Sequence, residues 1–259
     1  MTLIINKTKG TQLQLNPQIV KDQLQLYYDV NNGNSYTSGT TLTNMAPARF
    51  SNNVNGTLDN SSMVQRPDNL HPYIQIETDD GANLRRISLD STISISADDT
   101  NRTMMVWFWS DYDGTGQYGN SHALFGGKYT NYWAITGGSG DTYGVEAETN
   151  GGDEGNHDYF ARTNLGQVFN KSQWNNWAVV WNGGNAQNYF NGTLNSTSYA
   201  MANNSTFSYN RIGSTSTGNG SEDRGGTWRF GGLLIYNKAL TEAELDQNHK
   251  VFQLKFNRG

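Results

Sequence analysis

Trp177-Ala178-Val179-Val180-Trp181, followed by Asn182-Gly183-Gly184-Asn185, decides what kind of fold this chain can make. Side chains alternate faces along an extended strand. Trp177, Val179 and Trp181 therefore share one face, and Ala178 and Val180 share the other. The Asn-Gly-Gly-Asn tetrad turns the chain, Gln187 to Phe190 returns it, and Asn191-Gly192 turns it again. Asn-Gly suits a type I′ turn, in which both central residues need positive φ. The stretch is a β-hairpin whose first strand is apolar on both sides.

The same period-2 pattern extends outward in both directions, and long 3.6 periodicity is nearly absent. Leu24 to Val30 reads as a strand, and a turn-rich stretch follows from Asn31 to about Ser62. Tyr73-Ile74-Gln75-Ile76-Glu77 alternates as a half-buried strand should. Ile87, Leu89, Ile93 and Ile95 continue that alternation. Met104 to Trp109 is apolar at every position, which marks a central strand covered on both sides. Leu124-Phe125, Tyr132 to Ile135 and Tyr143 to Glu148 predict further strands, separated by Gly126-Gly127 and Gly137-Gly138. A polar loop then runs through Asp158. Arg211-Ile212-Gly213 and Phe230 to Tyr236 supply the last strands. Thr241-Glu242-Ala243-Glu244 is a capping box, because the Thr241 hydroxyl can accept from the Glu244 amide while the Glu244 side chain reaches back. With Ala243, Leu245, Val251 and Phe252 as its apolar stripe, it predicts a helix of two or three turns. Short strands, frequent turns and one late helix imply a two-sheet antiparallel sandwich, an all-β fold. Residues 1–22 precede the pattern as an N-terminal arm, and residues 23–259 form one domain.

Composition narrows the function. The chain has 259 residues, with 35% hydrophobic, 12% aromatic and only 16% charged residues. Low charge with many aromatics argues against disorder. A net charge of −5, with 18 Lys and Arg, leaves no basic stripe for phosphates, so no nucleic-acid partner is expected. No apolar run reaches membrane-span length, and Met1 to Gly10 lacks a signal-peptide core. With no cysteine there are no disulfides or thiolate metal sites.

Four stretches together resemble one known family. Leu26-Tyr27-Tyr28-Asp29 with Asn34-Ser35-Tyr36 and Gly39-Thr40-Thr41 resembles its opening strand and loop. Asn55-Gly56-Thr57-Leu58 resembles an Asn-Gly-Thr-Leu turn. Trp177 to Trp181 with Tyr189-Phe190-Asn191-Gly192 resembles its hairpin. Phe230-Gly231-Gly232-Leu233-Leu234-Ile235-Tyr236-Asn237-Lys238-Ala239-Leu240-Thr241 resembles its closing strand and capped helix. The family is the laminin-G-like, concanavalin A-like lectin/glucanase jelly roll. The opening and the tail, ending Lys255-Phe256-Asn257-Arg258-Gly259, are most similar to the version in tailed-phage virion proteins. The resemblance implies a jelly-roll sandwich with a short C-terminal helix, covering about residues 24–259. It further implies a non-catalytic virion module that decorates the capsid or tail. Its partners would be major capsid or tail proteins and a host-surface glycan, with no membrane partner. Its location would be the virion, after synthesis in the host cytoplasm. A free lectin-like receptor binder and a laminarinase-type glycosidase are the alternatives.

Three groups of residues could carry chemistry. Tyr112, Tyr118, Tyr129, Tyr132 and Tyr159 lie in polar surroundings rich in Asn, Asp and Gly. An aromatic face beside such groups is what a carbohydrate site needs, although tyrosine can also cap a core with its hydroxyl in water. Asp111 and Asp113 precede Gly114, the spacing that can open a calcium loop. The full twelve-residue loop is absent, and Asp-Gly also simply builds turns. Laminin-G-like domains bind Ca²⁺ at a rim, so the resemblance implies calcium as the cofactor. Glu146 and Glu148, at i and i+2, fall on one strand face. The glucanases of the family place a Glu-x-Asp-x-Glu or Glu-x-Asp-x-x-Glu strand there, but this chain has Glu148 where the Asp should be and Asn150 or Gly151 at the third position. No catalytic residue is assigned.

Overall fold

The computed structural model describes residues 18–66, 72–77, 85–96, 101–111, 121–126, 131–138, 142–150, 157–162, 171–183, 185–200, 206–216, 222–223 and 227–256. The strands in chain order begin with β1 (Leu24–Asp29), β2 (Thr41–Leu42), β3 (Gly56–Leu58), β4 (Val64–Gln65), β5 (Tyr73–Ile76) and β6 (Ile87–Ser96). Next come β7 (Asn101–Trp109), β8 (Ser121–Gly126), β9 (Asn131–Gly138), β10 (Thr142–Asn150), β11 (His157–Arg162) and β12 (Trp174–Asn182). The series closes with β13 (Asn185–Phe190), β14 (Thr193–Ala200), β15 (Thr206–Ile212), β16 (Thr215–Ser216), β17 (Glu222–Asp223), β18 (Trp228–Tyr236) and the helix α1 (Glu242–Phe256).

Among the described residues these strands make two antiparallel eight-stranded sheets and a separate β16–β17 pair. The first runs β14-β13-β12-β7-β18-β5-β4, and β1 also pairs with β18. The second runs β11-β10-β9-β8-β15-β6-β3-β2. The predicted all-β, two-sheet antiparallel sandwich with one C-terminal helix is what the chain forms.

The period-2 pattern explains two separate cores. Met104, Val106 and Phe108 of β7, with Trp177, Val179 and Trp181 of β12, point between the sheets. They meet Ile87 and Ile93 of β6, Leu124 and Phe125 of β8, and Tyr209 and Ile212 of β15. The alternate residues Met105, Trp107, Ala178 and Val180 face outward, yet they are buried too. The helix covers them with Leu245, Val251, Phe252 and Phe256, helped by Ile19 and Leu24. Two buried faces are why β7 and β12 carry no polar alternation. Each large side chain withdrawn from water contributes roughly 2 kcal/mol.

Helix docking also explains Phe230-Gly231-Gly232-Leu233. The β18–β7 register shifts between Phe230 and Gly232, a bulge that turns Phe230, Leu233 and Ile235 all inward. A Cβ on Gly232 would lie 2.4 Å from Phe252 Cε1, and one on Gly231 would lie 2.6 Å from Phe256 Cζ. Bare backbone there lets the aromatic rings of α1 seat against the sheet.

Several local expectations shift. The helix has 15 residues rather than two or three turns, and Ala243 is exposed. Of Asn55 to Leu58, expected as a turn, Gly56 to Leu58 enter the edge of the second sheet as β3, paired with β2 and β6. Gly137 and Gly138 are the last two residues of β9 rather than a break between strands. The loop expected through Asp158 gives way to β11, which starts at His157. The capping box forms as expected: Glu244 N–H donates to Thr241 Oγ1 at 3.3 Å, and Thr241 N–H donates to Glu244 Oε2 at 3.0 Å. Asn191 and Gly192 have φ of 47° and 81°, as a type I′ turn demands. Residues 18–22 lie against α1: Val20 N–H donates to Asn248 Oδ1 at 2.9 Å, and the Tyr236 hydroxyl donates to Val20 O at 2.9 Å.

Candidate functional site

Two of the five tyrosines fall in one register row of the second sheet. Tyr132 pairs with Glu148, and Glu148 pairs with Tyr159, across β9, β10 and β11. Tyr132 stands in β9, in the strand expected from Tyr132 to Ile135, whereas Tyr159, which follows the expected polar loop, stands in β11. The β10–β11 register shifts between Ala147 and Glu148. Bulges of this kind re-aim side chains near sheet edges, and β11 is the edge strand. Glu146 pairs with Ala134 on one side and Arg162 on the other. Tyr112, Tyr118, Tyr129 and Asp113 lie outside the described residues.

Asp111 belongs to the other sheet, immediately beyond β7. It is exposed, and its Oδ1 accepts the Ser172 hydroxyl. Ser172 N–H also donates to Ser110 O at 3.1 Å, so residues 110–111 are tied to the approach to β12. A calcium ion takes six to eight oxygen ligands. Among the described residues no three His, Cys, Asp or Glu side chains gather at one point. The described residues therefore do not by themselves make up a calcium site, since Asp111 offers a single carboxylate.

A second polar-aromatic grouping was not anticipated. Gln75, Arg229, Trp109 and Trp174 stand in register across β5, β18, β7 and β12. All four are half-buried, unlike Met105, Trp107 and Leu234 further along the same outer face, which α1 covers. The Arg229 guanidinium carbon lies 3.6 Å over the Trp109 ring centre and 4.8 Å from that of Tyr73. Trp174 packs on Phe256 with ring centres 4.2 Å apart and meets Tyr73 edge-on at 6.3 Å. In the sequence Arg229 is merely the polar member of Trp228-Arg229-Phe230. Only the pairing of β18 with β7 and β5 puts it among rings.

The perturbed titratable groups do structural work. Burial pushes the hydroxyls of Tyr28, Tyr209 and Tyr236 well above the usual phenol range. The Tyr28 hydroxyl stays a donor, to Val54 O at 2.8 Å. Burial lowers His249, whose ring stacks on Trp107. Among the described residues no helix is long and apolar enough to cross a membrane.

Two antiparallel sheets of this order, with a helix roofing one of them, define a jelly-roll sandwich. The chain belongs to the concanavalin A-like lectin/glucanases superfamily, whose family model matches residues 78–246. No curated protein matches it in sequence. Solved structures do match in fold. The binding domain of Paraclostridial mosquitocidal protein 1 aligns with a TM-score of 0.56 at 17% identity, over 88% of this chain and 52% of that one. The botulinum neurotoxin serotype D binding domain gives 0.57 at 14% identity, over 89% and 52%. The binding domain of botulinum neurotoxin DC in complex with rat synaptotagmin II gives 0.56 at 12% identity, over 89% and 52%. The chain spans about half the length of these structures, and at such identities the likeness is one of fold.

Proposed function

We propose that this chain is a non-catalytic binding module of a phage virion, which recognises a host-surface glycan through the β9–β10–β11 edge. The observation that carries the reading is the Tyr132–Glu148–Tyr159 row. Two interstrand steps set the tyrosine positions roughly 10 Å apart, the reach of a short saccharide rather than of one ring. Aromatic positions flanking a carboxylate are the elements of a sugar site: C–H faces stack on rings, and hydroxyls donate to the acid. The matched structures support recognition over catalysis, since they are described as binding domains. The departure of Glu146-Ala147-Glu148 from the glucanase pattern points the same way. The virion assignment rests on the similarity of the opening and closing motifs to tailed-phage proteins.

Two measurements test it. Titration against a broad panel of neutral and acidic oligosaccharides should give saturable binding. Tyr132→Ala and Tyr159→Ala should each weaken that binding about tenfold, at an unchanged unfolding midpoint. No binding anywhere on the panel, or release of reducing ends from a β-glucan, would overturn the glycan-binding reading. Quantitative mass spectrometry of density-purified particles tests the virion part. Hundreds of copies per particle mean a capsid decoration protein, a handful means a tail component, and absence removes the virion from the proposal.

A further inference from the structure

We propose that the outer face of the first sheet carries a second ligand site, where Arg229 holds the carboxylate of an acidic sugar beside the Trp174 ring. The inference rests on the glycan-binding reading but puts its ligand on the opposite sheet from Tyr132 and Tyr159.

The argument begins with the guanidinium. Its central carbon is 3.6 Å from the Trp109 ring centre. A nitrogen aimed straight at the ring would sit about 1.3 Å closer still, inside van der Waals contact, so the group lies flat on the indole. Flat stacking occupies a π face and leaves the five N–H donors in the plane pointing sideways. No carboxylate among the described residues pairs with Arg229, and no described group accepts from it. The other cations near this face are committed: Lys255 to Asp29, Lys238 to Glu244. A guanidinium pre-oriented by a ring, with no acceptor on its fork among the described residues, is built for a planar two-oxygen acceptor.

The neighbours set the rest of the ligand. Trp174 is half-buried in the same register row and braced by Phe256 and Tyr73. A braced aromatic next to a carboxylate receptor takes an apolar ring face bearing an acid, which on a polar surface means a pyranose. A polyanion does not fit: the chain carries net charge −5, and binding a phosphate backbone needs several cations. The helix fixes the edge of the site, since α1 ends at Phe256 against Trp174.

The test is calorimetric titration of the full chain with 3′-sialyllactose against lactose, and with trigalacturonate against its methyl ester. At least one acid should bind with a tenfold or greater preference over its neutral partner. Arg229→Gln should erase that preference, and Arg229→Lys should restore only a small part, because an ammonium keeps the charge but not the fork. Near-ultraviolet circular dichroism of both variants reports whether the aromatic stack survives. Equal affinity for acid and ester, no binding of any probe, or a preference unchanged in both variants would each overturn the site. Acid binding abolished by Tyr132→Ala but not by Arg229→Gln would sink this inference while leaving the glycan-binding reading intact. Loss of all binding, neutral sugars included, in both Tyr132→Ala and Tyr159→Ala and in neither Arg229 variant would do the same.

Discussion

Phe252 of the helix lies face to face with Trp107 of the central strand, with ring centres 4.1 Å apart and planes 18° from parallel. Both side chains are buried, and the contact joins α1 to the outer face of β7. Phe252→Ala should therefore cost about 3–5 kcal/mol. The outer core should loosen before the inter-sheet core, which shares no residue with it. Urea unfolding followed by tryptophan fluorescence checks this, and a loss below 1 kcal/mol would show that the helix is not held by this contact.

Gly232 gives a sharper test of the same docking. A Cβ there would meet Phe252 Cε1 at 2.4 Å and Tyr28 O at 2.9 Å. Gly232→Ala should destabilise by about 1–3 kcal/mol, the usual cost of overpacking. Combining it with Phe252→Leu should recover part of the loss, because the smaller side chain vacates the ring edge. Strictly additive losses would mean that the backbone contact with Tyr28 dominates.

The helix start should be acid-sensitive. Burial tends to raise the Glu244 carboxyl, but hydrogen bonds from Lys238 and Thr241 outweigh it and hold the group below its ordinary value of 4.5. Its stabilising contribution is therefore complete above pH 4.5 and is lost as pH falls through the lower folded value. Glu244→Gln should flatten stability against pH on that acid side. Thr241→Ala should cost about 1 kcal/mol as a lost cap, measured at neutral pH.

His249 should shape the next window up. Burial lowers it from its ordinary value of 6.5, Asp246 opposes that shift and Lys250 adds to it. Between the lowered folded value and 6.5 the unfolded chain binds more protons, so stability rises with pH. The contribution is full above pH 6.5 and lost as pH falls through the folded value. In His249→Gln the slope of unfolding free energy just below pH 6.5 should shrink. An unchanged slope would assign that titration to another group.

The central strands and the two-sided burial of β7 and β12 were legible because alternation is a direct consequence of which faces are covered. Met104 to Trp109 announced two covered faces in its composition alone. The helix start was legible through Thr241 and Glu244. Its end was not, since Asn248 interrupts the apolar stripe: it is buried by bonding Val20 and Tyr236 rather than by being apolar. The candidate rows were the least legible. Tyr132 and Tyr159 could be named as aromatic candidates, but their alignment with Glu148 depends on sheet register, which no local pattern encodes. Arg229 reads as an ordinary solvent-facing residue until β18 is laid between β5 and β7.

The ties between residues 18–22 and the helix have a mechanical consequence. Tension entering at Gln18 and leaving at Phe256 need not cross the sandwich. It can run through Val20 and Asn248, and through the Gln247 amide donating to Gln18 O at 2.5 Å. A tether pulling on both sites would peel the roof from the outer sheet one bond at a time. The hydrogen-bonded ladders between β7, β12 and β18 would carry little of the load, so the inter-sheet core would outlast its own cover.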